Sequence, residues 1–435
     1  MEPTTVGLIG FVILIILIFL RVPVSFAMAI VGFAGFAYLS NFSAALDMIS
    51  VNFFSTFFSY SLATVPAFIL MGMIAHHSGI GASLFNVADK FIGHLRGGLA
   101  LAVQLASAMF GAVSGALTAT VATMGSVAIP QMRKLNYNLP FCCASIAAGS
   151  SLGSLIPPSV ILVVYGVATE QSIGKLLMAG VIPGIVHMTI YCITIYIVAR
   201  FKPHYFPVKP KATWGERVDA VRGGGVLEAA IVFFLSIGGL FLGWFSPTEA
   251  ASVGTFALLV VTLVGKKINF EKTKEALRET VKLAAMIFML IAGATICARF
   301  LAVTRLPFEL ASMLSGLDVP PFVIIILIVL VGLILGMFID AMPLILLLIP
   351  IVFPIVVGIG YDPIWFGIII VVICSLGVMT PPVGINIFIV QGTTPDVKVE
   401  EIFSEVLPFV LADWAFVFVL LLFPQIATFL PNLMY

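Results

Sequence analysis

The chain has 435 residues, of which 61% are hydrophobic and only 9% charged, with a formal net charge of +1. A soluble domain carries about 25% charged residues, so a water-soluble globular protein, a disordered chain and a nucleic-acid binder are all excluded. Each membrane-spanning helix needs about 20 apolar residues, and apolar runs such as 322–338 lack the alternation of barrel strands, which leaves an all-α polytopic protein with the lipid bilayer as its first partner.

In chain order, the run 4–20 follows Met1-Glu2-Pro3 without the basic segment of a cleaved signal and reads as the first span. Spans follow at 23–39 and 59–75, the latter closed by His76 and His77, which suit a helix C-terminus. Residues 83–96 mix apolar and polar side chains at helical spacing, the pattern of an interfacial helix. Residues 97–131 are apolar but interrupted by small residues around 111–119. That length suffices to enter the membrane and return, so they predict a re-entrant hairpin. Spans at 139–168 and 176–199 complete a first unit. The polar linker 200–222 then carries six Lys and Arg residues against Glu216 and Asp219. A second unit predicts spans at 226–244, 248–264, 281–298, 364–390 and 406–423, with an interfacial helix at 307–317. Its hairpin is 320–357, with a tip near 336–343. Ser246-Pro247-Thr248-Glu249 is a capping box with Pro at the first helical position.

The two units repeat one another. Ser151-Leu152-Gly153 leads to Pro157-Pro158, and 224 positions later Ser375-Leu376-Gly377 leads to Pro381-Pro382. Pro23 with Pro247, Gly111 with Gly336, Pro130 with Pro354, Pro140 with Pro363 and Pro183 with Pro408 recur at the same offset within one residue. Five crossings per unit is an odd number, so the copies face opposite ways. With the N-terminus outside, all but Lys175, Arg299 and Arg305 of the 21 Lys and Arg residues fall on the cytoplasmic side, as the positive-inside rule requires.

Inverted repeats with interrupted helices point to a secondary transporter that holds substrate and ions at the midplane. Each Pro-Pro pair removes amide donors and frees carbonyls of the preceding turn. At membrane depth such backbone needs protein, water or a cation to satisfy it, and carbonyls beside a Ser or Thr hydroxyl suit sodium. A proline kink is the plainer alternative for one isolated pair; two copies, each beside a hairpin, favour the ion. Gly111–Gly115 and Gly332–Gly336 also fit close helix packing through GxxxG. Asp340 at the second tip needs a partner at that depth, either in an ion or substrate site or as a helix cap. Arg299 ends an apolar run, where it can snorkel to the outer interface or meet an anionic substrate. Asp413 in the last span has no explanation in the sequence. Cys142, Cys143, Cys192, Cys297 and Cys374 lie in apolar stretches without metal-ligand spacing and read as small buried hydrophobes. No HExxH or Walker motif occurs, so the chain is not expected to be an enzyme.

The segments GAVSGALTATVATMGSVAIPQM at 111–132, SSLGSLIPPS at 150–159, SPTEAA at 246–251, GMFIDAMP at 336–343 and GVMTPPVGIN at 377–386 resemble the large membrane subunit of tripartite ATP-independent periplasmic (TRAP) transporters. The resemblance covers essentially the whole chain. It implies a sodium-driven importer of organic acids such as C4-dicarboxylates or sialic acid, located in the bacterial inner membrane with both termini periplasmic. It also implies an elevator architecture like that of the wider ion-transporter group, with scaffold parts at 1–96 and 226–318, transport parts at 97–200 and 319–435, and a cytoplasmic linker at 201–225. The implied partners are a small four-helix membrane subunit, expected as a separate chain, and a periplasmic substrate-binding protein. At least two sodium sites are expected. One lies between Ser114 and the first break at Gly153, Ile156 and Pro158; the other lies between Gly336 and Asp340 and the second break at Gly377, Met379, Thr380 and Pro382. The carboxylate is expected between them, near Ser154, Asn386 and Arg299. A one-component sodium–carboxylate symporter is the rival reading, a passive channel a weaker one, and an intramembrane enzyme the weakest.

Overall fold

The computed structural model describes residues 1–315 and 319–434, and every regular element among them is a helix. An apolar environment offers the backbone no water, so each amide must find its partner within its own segment, which a helix achieves for all but its ends. Those ends carry local signals. Asn41, Asn138, Ser159, Ser172, Ser246 and Asn269 each accept a hydrogen bond from an amide of the helix they open. The capping box at Ser246 forms as expected, with Glu249 returning to the Ser246 amide at 2.8 Å.

Among the described residues six helices are long and apolar enough to cross a membrane, or up to eight if each of two bent pairs is one span. The ten crossings expected are therefore not all long helices. Pro3–Phe19, Val24–Leu39 and Pro363–Gly377 are apolar but shorter, and Pro363–Gly377 is separated from Ile385–Thr393 by the second break. The expected span 281–298 is the middle of one helix, Phe270–Thr304, whose 35 residues reach about 52 Å at 1.5 Å per residue. Its charged first turns had hidden its length. Phe42–Phe57 and Gln425–Leu433 are helices that the sequence reading passed over, and the span expected at 226–244 carries a π-turn at Phe234–Gly238. The interfacial helix expected at 83–96 is Ile80–Ile92, with one face buried against Gly98–Ser114. Leu306–Ser315 is the described part of the one expected at 307–317; positions 316–318, at the expected boundary between 226–318 and 319–435, and 435 lie outside the described residues.

Two groups of helices form. In the first, Phe270–Thr304 packs along Val24–Leu39, Thr64–His77 and Phe42–Phe57. Its crossing with Val24–Leu39 is close because glycine permits it: a Cβ on Gly32 would stand 2.8 Å from the Cys297 backbone. The second group holds two helical hairpins and two interrupted helices. Gly98–Ser114 turns at Gly115-Ala116 into Leu117–Lys134, and this pair packs on Leu139–Ser150 and Leu152–Leu155. After Ile156–Ser159 the chain resumes as Val160–Ala168, bent by 47° from the preceding helix. Pro321–Gly336 turns through Met337–Asp340 into Ala341–Gly358, and both arms pack on Pro363–Gly377. The Pro157-Pro158 and Pro381-Pro382 bonds are both cis. At the end of the first hairpin Arg133 forks onto Asp396, beyond the second break, with two hydrogen bonds of 2.8 Å; the guanidinium holds that carboxyl below its usual range.

Candidate functional site

The first hairpin tip is built around glycines. Gly115 has a φ of +61°, a conformation that side chains resist, and its carbonyl accepts from the Val160 amide at 3.2 Å. Gly111 lies against the first break: a Cβ there would stand 2.5 Å from Gly153 Cα, and one on Gly153 would stand 2.6 Å from Thr120 Oγ1. Ser114, Gly153 and Pro158 are thus brought together, and the Pro158 carbonyl oxygen faces Gly115. Ser114 Oγ lies 3.3 Å from Thr120 Oγ1, which donates to the Ala116 carbonyl at 2.8 Å. The corner is lined by neutral oxygens, with Thr120 as a member that the sequence reading missed; its repeat-related position is Leu344, so the repeat gave no hint of it. Ile156 keeps its amide on Leu152 at 2.9 Å, while its side chain turns away into an apolar cleft with Leu105, Met109 and Ile185.

The second tip repeats the contact. A Cβ on Gly377 would stand 2.6 Å from Gly336 Cα, so hairpin and interrupted helix again meet backbone to backbone. Gly332, one turn earlier, meets the Ile373 side chain, which is helix packing. Thr380 Oγ1 donates to the Leu376 carbonyl at 2.6 Å and its amide donates to Gly377 at 3.1 Å. Met379 is fully buried, whereas Pro382 is exposed. Asp340 occupies the position before Ala341–Gly358, yet its side chain makes no capping hydrogen bond. Instead it lines a cavity of about 140 Å³. The same cavity is walled by Gly115–Thr118 of the first tip, by Val160 and Ile161 after the first break, and by Met73 and Met286 of the first helix group. Both hairpin tips and one break therefore share a chamber at the seam between the two helix groups. Among the described residues no three His, Cys, Asp or Glu side chains converge as a metal-ligand set.

Ser154 and Asn386 lie deeper, where the two interrupted helices cross. Ser154 Oγ is 2.9 Å from Ser375 Oγ, and Asn386 Nδ2 donates to Ser150 Oγ at 3.0 Å. Asn386 Oδ1 is buried without a hydrogen-bond partner. Arg299 is not with them: it is exposed and lines a separate open cleft with Asp47 and Asn52. Its place on Phe270–Thr304 points it at Phe42–Phe57, the helix the sequence reading missed, which is why its surroundings were not foreseen.

The family profile described as "Tripartite ATP-independent periplasmic transporter, DctM component" matches residues 11–426. The chain is 35% identical to the C4-dicarboxylate TRAP transporter large permease protein DctM of Pseudomonas aeruginosa, over 88% of this chain and 89% of that one. It is 32% identical to the sialic acid TRAP transporter large permease protein SiaM of Vibrio cholerae, over 96% of each. Its fold resembles the crystal structure of the Alcanivorax borkumensis YdaH transporter, with a TM-score of 0.67 at 17% identity over 91% of this chain and 90% of that one.

Proposed function

Because this chain belongs to the tripartite ATP-independent periplasmic transporter family as its DctM component, we propose that it is the large permease subunit of a bacterial inner-membrane system that imports a carboxylate by sodium symport. The observation that carries this reading is the paired Gly111–Gly153 and Gly336–Gly377 contact, which sets each hairpin tip on each break, with Asp340 facing the chamber beside them.

Sodium enters this scheme as a second cargo. Interrupted helices hold such ions through freed carbonyls and helix-end dipoles, and the oxygens gathered at the first break are of that kind. One ion would be held by Ser114, Gly153, Ile156 and Pro158, with Thr120 beside them. The other would be held by Gly336, Asp340, Gly377, Met379 and Thr380, with Pro382 holding the turn. Two ions so placed would offset the charge of a carboxylate bound between them near Ser154 and Asn386, whose unpartnered Oδ1 is an acceptor for a hydroxyl or amide donor of the cargo rather than for its carboxylate. Both named relatives transport carboxylates by their titles, which supports that substrate class and leaves the individual acid to the delivering protein.

In this scheme the segments 97–200 and 319–435 move as an elevator against 1–96 and 226–318, the linker 201–225 lies in the cytoplasm, and both termini are periplasmic. A small membrane subunit and a periplasmic binding protein complete the machine. The test is uptake of labelled C4-dicarboxylates and sialic acid into proteoliposomes, with sodium gradient and binding protein each present or absent. Uptake that requires both is expected. Uptake without the binding protein would instead mark a one-component symporter, and flux without sodium a channel.

A further inference from the structure

One buried carboxylate takes no part in the arrangements above. Asp413 and His187 are 0% and 1% exposed. Asp413 Oδ1 lies 2.6 Å from His187 Nε2 and accepts from Tyr191 Oη, also at 2.6 Å. The His187 ring is held flat against Phe416, with centroids 4.4 Å apart. Tyr191 Oη then lies 3.1 Å from Ser151 Oγ. Proton accounting gives this line a direction. A carboxylate only accepts, and a hydroxyl has a single proton to give. Tyr191 gives its proton to Asp413, so its contact with Ser151 is a hydrogen bond only if Ser151 donates. Ser151 has a competing acceptor in its own helix, the Ala148 carbonyl at 2.7 Å.

Ser151 is the joint where Leu139–Ser150 gives way to Leu152–Leu155. Its carbonyl receives Ser154 Oγ at 2.7 Å, and Ser154 Oγ meets Ser375 Oγ of the second interrupted helix. A continuous polar line thus runs from His187 and Asp413 through Tyr191, Ser151 and Ser154 to Ser375. We propose that Asp413 is a positioning residue for the first break. By taking the Tyr191 proton it makes Tyr191 an acceptor for Ser151, and so tethers the turn that presents Gly153, Ile156 and Pro158. Asp413 itself touches no cargo. In Asp413→Asn the neutral side chain accepts the Tyr191 proton more weakly than a carboxylate does, so the tether loosens without disappearing, whereas Tyr191→Phe removes both hydrogen bonds of that hydroxyl and leaves Ser151 to Ala148.

This inference rests on the sodium reading above, and the experiment separates the two. Sodium activation of uptake is measured for the unaltered protein, Asp413→Asn, Tyr191→Phe and the double variant. Loss of one hydrogen bond corresponds to about a tenfold change, so the sodium concentration for half-maximal uptake rises about that much in Tyr191→Phe and by less in Asp413→Asn. Substrate KM and the rate at saturating sodium stay unchanged, and the double variant is no worse than Tyr191→Phe alone, because both substitutions act through the same line. A merely structural role would lower the rate and the thermal midpoint instead, with half-saturation unmoved; that result overturns the inference. If Asp413→Asn fails to fold, Tyr191→Phe, which removes one oxygen, decides alone: unmoved half-saturation in it overturns the inference. Sodium-independent uptake by the unaltered protein overturns the proposed function, and the inference with it.

Discussion

At the scale of single residues, glycine and aspartate carry the most testable consequences. A Cβ on Gly153 would stand 2.6 Å from Thr120 Oγ1, a hydroxyl held on the Ala116 carbonyl, so the threonine would have to give way. Gly153→Ala is expected to destabilise by about 1–3 kcal/mol through overpacking and to lower uptake. Gly392→Ala, on an interrupted-helix segment with nothing within 4 Å of its Cβ, is expected to leave stability equal or slightly raised; thermal unfolding in detergent compares the two. The pair Asp340 and Arg299 separates chamber from cleft. Asp340→Ala is expected to abolish sodium-driven uptake while the protein still inserts. Arg299→Ala is expected to retain most uptake, because the side chain lines a different cleft from Ser154 and Asn386. A loss as deep as that of Asp340→Ala would return Arg299 to the substrate site. The glycines and Asp340 were legible in the sequence because small residues and a lone carboxylate stand out in so apolar a chain. Thr120 and Tyr191 were not, since a single hydroxyl on a membrane helix says nothing of what faces it.

Among elements, the first hairpin and the second interrupted helix are tied at one end by Arg133 and Asp396. Both side chains are about half exposed, so the fork orients the two elements more than it stabilises them. The guanidinium lowers the Asp396 carboxyl. Its contribution is therefore complete above the free carboxylate value of about 4 and fades only as the pH falls through the lowered one. Backbone hydrogen exchange at 394–398, corrected for intrinsic rates, is expected to be constant between about pH 5 and 8 in the unaltered protein and faster throughout in Asp396→Asn. The sequence showed that hairpins and breaks exist, through prolines and small residues at a repeated offset. It did not show the full extent of Phe270–Thr304, because Lys and Glu in its first turns end a hydropathy run without ending a helix. Nor did it show Phe42–Phe57, whose polar residues Asp47 and Asn52 interrupt the apolar run.

For the whole molecule, the elevator proposed above would slide at the seam between the two helix groups. His76 Nδ1 lies 2.7 Å from Thr123 Oγ1 across that seam, joining Thr64–His77 to the return arm of the first hairpin. If the groups move past one another, this contact breaks in each cycle. A disulfide between Cys residues introduced at His76 and Thr123 is expected to stop uptake under oxidation and to release it under reductant; uninterrupted uptake by the crosslinked protein would place the motion elsewhere. The sequence by itself determined the solvent, the helical class and the family. Each follows from which residues occur and at what spacing, and lipid allows few other answers to so apolar a chain. Only the tertiary structure decided which oxygens gather at the first break, that Asp340 faces a chamber shared by both tips, that Arg299 stands apart, and that Asp413 is answered by His187 and Tyr191. Those are distances between side chains remote in the chain, set by how helices cross, and crossings depend on the packed shapes of many residues together.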